Sequence, residues 1–200
     1  MENNIIIQPH PLDSTENTVI KSTINLCQNG ITLMCIACNT TQYYKNKVEE
    51  ICNLYNVKFV FIPDVINSYL EENHINEFDL LGISHVFDFQ KYSAFIDLNN
   101  KYTISKPTTD FLRKIELIAY YVKENKIDRA ANFLRDLLKK ETMYNTVIVA
   151  LTEISKILSI HTNLGQDKLV IDSLQLLVIL PKPMWMDFLK LFTLIKTKIL

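Results

Sequence analysis

"GITLMCIACNTTQYYKNKVEE", residues 30–50, decides the fold. Ile31–Ala37 is a short apolar run of the kind a buried strand makes. From Thr41 onward apolar residues recur at helical spacing, so a strand passes directly into a helix. The junction is Ala37-Cys38-Asn39-Thr40-Thr41: a thiol, an amide and two hydroxyls in a row. A helix start presents unpaired N–H groups and the positive end of its dipole, which favour a thiolate and bind carboxylates or phosphates. Cys38 is therefore a candidate site residue; its plain alternative is a small buried residue at a strand end.

The same strand-then-helix alternation extends outward in both directions. Strands are predicted at Asn4–Gln8, Ile31–Ala37, Lys58–Ile62, Asp79–Ile83, Lys101–Ile104, Thr146–Leu151 and Lys168–Ile171. Helices are predicted at Glu16–Gln28, Thr41–Tyr55, Val65–Glu72, Phe89–Leu98, Thr108–Glu124, Ile127–Lys140 and Glu153–Ser159. This is the pattern of an α/β protein with a mainly parallel sheet flanked by helices. The helix near Thr108 has the clearest local signals, with Pro107 at its start and Phe111, Ile115, Ile118 and Val122 on one stripe. "LMCIACNTTQYY" and "VIVALTEISKI" echo one another as apolar strand, polar Thr-containing turn and helix, as two lobes of similar build would. In open α/β sheets ligands bind beyond the carboxyl ends of strands, so both turns face that kind of place.

Composition removes several function classes. The chain has 200 residues, 48% hydrophobic and 22% charged, with 21 basic against 22 acidic residues. That size and composition suit a folded core, and the near-zero balance lacks the basic footprint of a non-specific nucleic-acid binder. With glycine only at positions 30, 82 and 165, neither GxGxxG nor GxxxxGK[ST] is present, and nucleotide cofactors lose their main support. The four cysteines, Cys27, Cys35, Cys38 and Cys52, lack a zinc-site pattern; Cys35 lies within the strand run and reads as a core residue. Reduced thiols, no basic-then-apolar leader in "MENNIII" and no apolar run of roughly 18–20 residues predict a cytoplasmic protein without a membrane span. From Met184 the C-terminus is amphipathic and reads as a core or dimer-packing helix in preference to a membrane-surface one.

Ala37-Cys38-Asn39-Thr40 resembles the first catalytic motif of the aspartate/glutamate racemase superfamily: a strand, C-N-T, a small residue, often His, then a helix. "TVIVALTEISKIL", residues 146–158, is similar to that family's second motif, strand, G-C-T-E, helix. "KLVIDS", ending at Asp172-Ser173, resembles the strand and turn that follow. "LLGISHVFDFQKY", residues 80–92, resembles the strand opening the second lobe, usually L-L-A-T-x-G-T and ending in Tyr. The resemblance implies two pseudo-symmetric lobes with the site in the cleft between them. Residues 1–76 with 167–200 would form a shortened first lobe carrying Cys38, and residues 77–166 a second lobe carrying Leu151 and Thr152. It also implies cofactor-independent proton transfer by two cysteines on opposite faces of the substrate Cα, since inversion needs proton traffic on both faces. By this resemblance Cys38 is the first cysteine, Asn39 and Thr40 hold the substrate carboxylate, and Thr152 assists from the other lobe. Homodimerisation is a further implication.

The chain departs from that pattern at several points. Ala150-Leu151-Thr152-Glu153 on G-C-T-E puts Leu151 where the second cysteine belongs, and an isobutyl group neither takes nor gives a proton. Leu12-Asp13-Ser14-Thr15 stands where aspartate-type members carry a P-D-R-T-like loop, with Ser14 in place of the Arg that would fork onto the distal carboxylate. The G-T of the second lobe reads His85-Val86, and Gln42 replaces the motif His. The first lobe is expected to lack about one strand and helix, with the C-terminal helix covering the apolar sheet left open. His85 and His161 are substitute acids if the fold brings either to the cleft; otherwise each reads as a surface or capping residue. The resulting expectation is a racemase-like pseudoenzyme binding a small carboxylate, an amino acid or a partner. The alternative is an isomerase or decarboxylase using Cys38 alone, as arylmalonate decarboxylases of the superfamily work with one cysteine.

Overall fold

The computed structural model describes residues 12–179. The predicted strand Asn4–Gln8 and the predicted helix from Met184 lie outside the described residues.

Strands and helices alternate along the described chain, as the sequence pattern requires. The order is α1 (Leu12–Gln28), β1 (Leu33–Cys35), a 3₁₀ turn (Thr41–Tyr44), α2 (Lys45–Leu54), β2 (Lys58–Val60), α3 (Ile62–Glu72) and β3 (Glu77–Leu81). A second 3₁₀ turn (Ser84–Phe87), α4 (Ile96–Lys101), β4 (Thr103–Ile104), α5 (Thr109–Lys123) and α6 (Ile127–Lys140) follow. The last elements are β5 (Thr146–Val149), α7 (Thr152–Ile160), β6 (Leu169–Asp172) and α8 (Ser173–Ile179). All strand pairs are parallel. β1 pairs with β2, and a four-stranded sheet runs β4-β3-β5-β6.

Local chemistry explains the boundaries. α5 begins where the Thr108 side chain accepts the Phe111 N–H at 3.1 Å. α2, α3 and α5 end with Asn56, His74 and Asn125 at positive φ, and the next residue's N–H returns to the helix: Val57 to Cys52 O, Ile75 to Leu70 O, Lys126 to Tyr121 O. Three sequence expectations change. Ile62 opens α3 instead of closing a strand, because Pro63 behind it supplies a φ suited to a first helical turn. Residues 89–95 form turns and the helix expected at Phe89–Leu98 runs over Ile96–Lys101, with Ser93 Oγ donating to Val86 O and accepting the Phe95 N–H at 3.0 Å. α8 was not among the predicted helices.

Alternate residues of the central strands serve two helical layers. Leu81, Val147 and Val149 pack with Phe111, Ile115 and Ile118 of α5, Leu134 of α6 and Ile154 and Ile157 of α7. Phe78, Leu80 and Ile148 face the opposite side, where Ile62, Ile66 and Leu70 of α3, Leu98 of α4 and Leu176 and Leu177 of α8 meet Leu33 of β1 and Val60 of β2. This second cluster carries the four-stranded sheet and the β1-β2 pair in one continuous core. A third cluster, around Met34, Val48 and Cys52, joins α1 and α2 to β1. β6, counted with the first lobe in the sequence expectation, hydrogen-bonds along β5, and α8 then returns to pack on α3.

Candidate functional site

Register places three connections side by side at the carboxyl edge of the four-stranded sheet. Leu81, Val149 and Asp172 are aligned across β3, β5 and β6. Gly82-Ile83, Ala150-Leu151 and Ser173 therefore leave from adjacent points. Each is followed by a helix or 3₁₀ turn, the arrangement that makes this edge the usual ligand-binding side of a parallel sheet.

The Cys38 loop is tied to that edge. Asn39 is 3% exposed, and its Nδ2 donates to Ser173 Oγ at 3.1 Å. Asp172 in turn accepts on one oxygen, Oδ1, from Ser155 Oγ of α7 at 2.8 Å and from the Leu174 N–H at 2.9 Å. The Asp172-Ser173 turn thus holds the neighbour of Cys38 on one side and α7, the helix that Thr152 opens, on the other. Cys38 itself is half-buried, whereas Cys27 and Cys52 are buried in the α1-α2 core.

The local backbone differs from the expected helix start. β1 ends at Cys35, Ile36–Thr40 is a loop, and the turn after it is a 3₁₀ segment; α2 begins only at Lys45. Cys38 therefore does not stand at an α-helix N-terminus. Gln42 accounts for the change. It is fully buried, its Nε2 donates to Ile36 O at 2.5 Å, and its Oε1 accepts the Ile62 N–H at 3.3 Å. A side chain that satisfies one backbone group before the loop and another at the start of α3 folds the loop back against both. Thr41 Oγ1 adds a bond to Cys38 O at 3.0 Å. Thr40 is half-buried and makes no side-chain cap. Gln42, Asp172 and Ser173 are the residues whose positions in the site only the structure supplies. In the sequence they were visible only as motif positions, Gln42 where the motif His stands and Asp172-Ser173 at the end of "KLVIDS".

The second motif is built differently. Leu151 is 7% exposed and joins the cluster of α5, α6 and α7, continuing the alternation of Val147 and Val149. Thr152 is half-buried at the first position of α7, and its hydroxyl donates to Glu153 Oε2 at 3.1 Å; Glu153 also lies 3.5 Å from Lys123 Nζ. Leu12-Asp13-Ser14-Thr15 forms the first turn of α1 and is not a loop. His85 stands in the 3₁₀ turn beyond β3, at the carboxyl edge, with Nδ1 3.5 Å from Ser84 Oγ. His161 closes the far end of α7, nine residues on and about 13 Å from its start at ~1.5 Å per residue, and lies 3.3 Å from Asp128 Oδ1 of α6. The fold brings His85 to the edge and leaves His161 away from it.

Thiol chemistry follows burial. Desolvation pushes the Cys35 thiol up from its ordinary range. Cys52 is pushed to about 12 by desolvation and then by the adjacent Cys27. Both shifts favour the protonated thiol over the nucleophilic thiolate. Among the described residues no group of His, Cys, Asp and Glu is arranged to hold a metal ion, and no helix is long and apolar enough to cross a membrane.

No protein-family model and no curated protein matches the chain. Solved structures do. An aspartate racemase from Picrophilus torridus superposes with a TM-score of 0.62 at 20% identity, over 78% of this chain and 63% of that one. An aspartate racemase homologue from Pyrococcus horikoshii OT3 gives 0.61 at 17% identity, over 84% and 73%, and a candidate Asp/Glu racemase from Yersinia pestis gives 0.60 at 16%, over 82% and 71%. The fold is that of the Asp/Glu racemases. The chain spans less than two thirds of the length of the Picrophilus enzyme.

Proposed function

We propose that this racemase-fold protein is a one-sided version of the two-thiol device. It binds a small carboxylate or amino acid at the carboxyl edge beside Cys38 and does not racemise it. The observation that carries the reading is Leu151, a buried aliphatic side chain packed into the α5-α7 core, at the position that the sequence resemblance assigns to the second cysteine. Racemisation takes the proton off one face of the Cα and delivers a proton to the opposite face, so an enzyme with a thiol on one side has no route to inversion. Cys38 supplies the thiol side and Thr40 and Thr152 the hydroxyls nearest the ligand carboxylate, while Asn39 holds the loop through Ser173. The cleft lies between the segment carrying Cys38 and the segment carrying Leu151 and Thr152.

The half-burial of Cys38, against the full burial of Cys27 and Cys52, favours a second reading: an isomerase or decarboxylase using Cys38 as sole proton donor or acceptor. Binding is tested by protection. Cys38 is alkylated with iodoacetamide in the presence and absence of L-aspartate, L-glutamate and malonate, and the modified peptide is quantified. A concentration-dependent slowing at Cys38 supports the reading; equal rates with all three at millimolar concentration contradict it.

A further inference from the structure

Asn39 and Ser173 stand 134 residues apart, both are almost fully buried, and their side chains face each other twice over: Asn39 Nδ2 to Ser173 Oγ at 3.1 Å, and Ser173 Oγ to Asn39 Oδ1 at 3.3 Å. We propose that Ser173 is a positioning residue for Cys38, acting through Asn39. The proposal rests on the reading that Cys38 lines the site, since it concerns where that thiol is held.

The other anchors of the Cys38 loop bind it to its own half of the chain. Gln42 reaches Ile36 and Ile62, and Thr41 reaches Cys38 O. Asn39 is the side chain of this loop that reaches the β6–α8 turn. That turn is a firm partner, because Asp172 is fixed by the Ser155 hydroxyl and the Leu174 N–H. A buried amide and a buried hydroxyl each require a partner, and separating them leaves both unsatisfied. The loop is thereby confined to a register in which Cys38, one residue earlier, is held against the carboxyl edge. In this account the Asn of the Cys-Asn-Thr sequence faces inward as a latch, and ligand contact falls to Cys38 and Thr40.

The test measures the rate of Cys38 alkylation by iodoacetamide in the folded, ligand-free protein for the parent, Ser173→Ala, Asn39→Ala and the double variant. Cys27 and Cys52 in the same samples report whether the α1-α2 core stays closed. A latch predicts that each single variant changes the Cys38 rate by about five-fold, the worth of one net hydrogen bond, and that the double variant changes it no further. Parent-like rates in both single variants, or effects that multiply in the double variant, overturn the proposal. Should Ser173→Ala open the core, shown by modification of Cys27 and Cys52, Asn39→Ala alone decides by the same criterion. Because no ligand is added, the result is independent of the protection experiment. A shifted rate without ligand protection leaves the latch standing and removes the binding site, and the reverse outcome does the opposite.

Discussion

Ser155 Oγ on α7 and Asp172 Oδ1 at the end of β6 lie 2.8 Å apart, and the same oxygen takes the Leu174 N–H that opens α8. With Asp172 only 4% exposed, its carboxylate is stabilised by these donors and not by bulk water. Ser155→Ala removes one donor from a buried acceptor and should cost about 1–3 kcal/mol of unfolding free energy. Asp172→Ala frees both donors and should cost more. Urea titration checks this: the midpoint should fall with an unchanged slope, and a midpoint equal to the parent's would mean that water replaces the hydroxyl at no cost.

Leu151 makes a sharper distinction. As a core residue, Leu151→Ala should destabilise by about 2–4 kcal/mol through lost burial and the cavity left behind. Leu151→Cys should retain the fold, yet its thiol would sit among Ile154, Ile157 and the α5 side chains, where burial disfavours the thiolate. Restoring the motif cysteine should therefore fail to confer racemisation. Appearance of D-aspartate from L-aspartate with the Leu151→Cys variant would show instead that position 151 faces the cleft.

The thiols give a pH signature. The fold raises the Cys52 thiol from 9.0 to about 12, so it favours the protonated form. A group whose folded pKa is raised contributes stability in full below its unfolded value and loses it as pH rises toward the folded one. This contribution to thermal stability should thus be constant to about pH 8.5 and decline between pH 9 and 12. Cys52→Ala should flatten the decline, and an equally steep loss in that variant would assign it to other groups. At pH 8, Cys38 should be alkylated ahead of Cys27 and Cys52, whose modification should track unfolding.

Much of this arrangement was legible in the sequence. Each predicted strand within residues 12–179 is present and parallel, because Val-, Ile- and Phe-rich runs between helix-period segments have few other ways to bury both faces. The misreadings have local causes. Pro63 reads as a strand breaker or as a helix opener, and only the backbone decides. The helix expected at Phe89–Leu98 starts only at Ile96, because Ser93 ties Val86 O to the Phe95 N–H within the turns before it. α8 was not predicted because "SLQLLVI" is short and carries only Ser173 and Gln175 as polar residues, although Asp172 before it was a capping signal. At the candidate site, Cys38 and Leu151 were visible as residue types. The pairing of Asn39 with Ser173 was not, since a side-chain hydrogen bond across 134 residues has no trace in local pattern.

Gly82 controls how β3 leaves the sheet. A Cβ there would lie 2.9 Å from both Cβ and Cγ1 of Val86, a buried β-branched residue with little freedom to move. Gly82→Ala should cost about 1–3 kcal/mol and shift the 3₁₀ turn that bears His85. Calorimetry of the variant reads the cost, and a melting temperature equal to the parent's would show that the turn yields freely.

The central claim, a proton-transfer site with a thiol on one side only, is tested most directly by incubating the protein with L-aspartate and L-glutamate in D₂O and resolving the enantiomers while measuring deuterium at Cα. The account predicts no D-enantiomer. Deuterium gained with retention would identify Cys38 as a working one-sided acid and base, a signal that Cys38→Ala should abolish. Accumulation of the D-enantiomer with deuterium at Cα would contradict the account, because it requires a second proton-transfer group opposite Cys38.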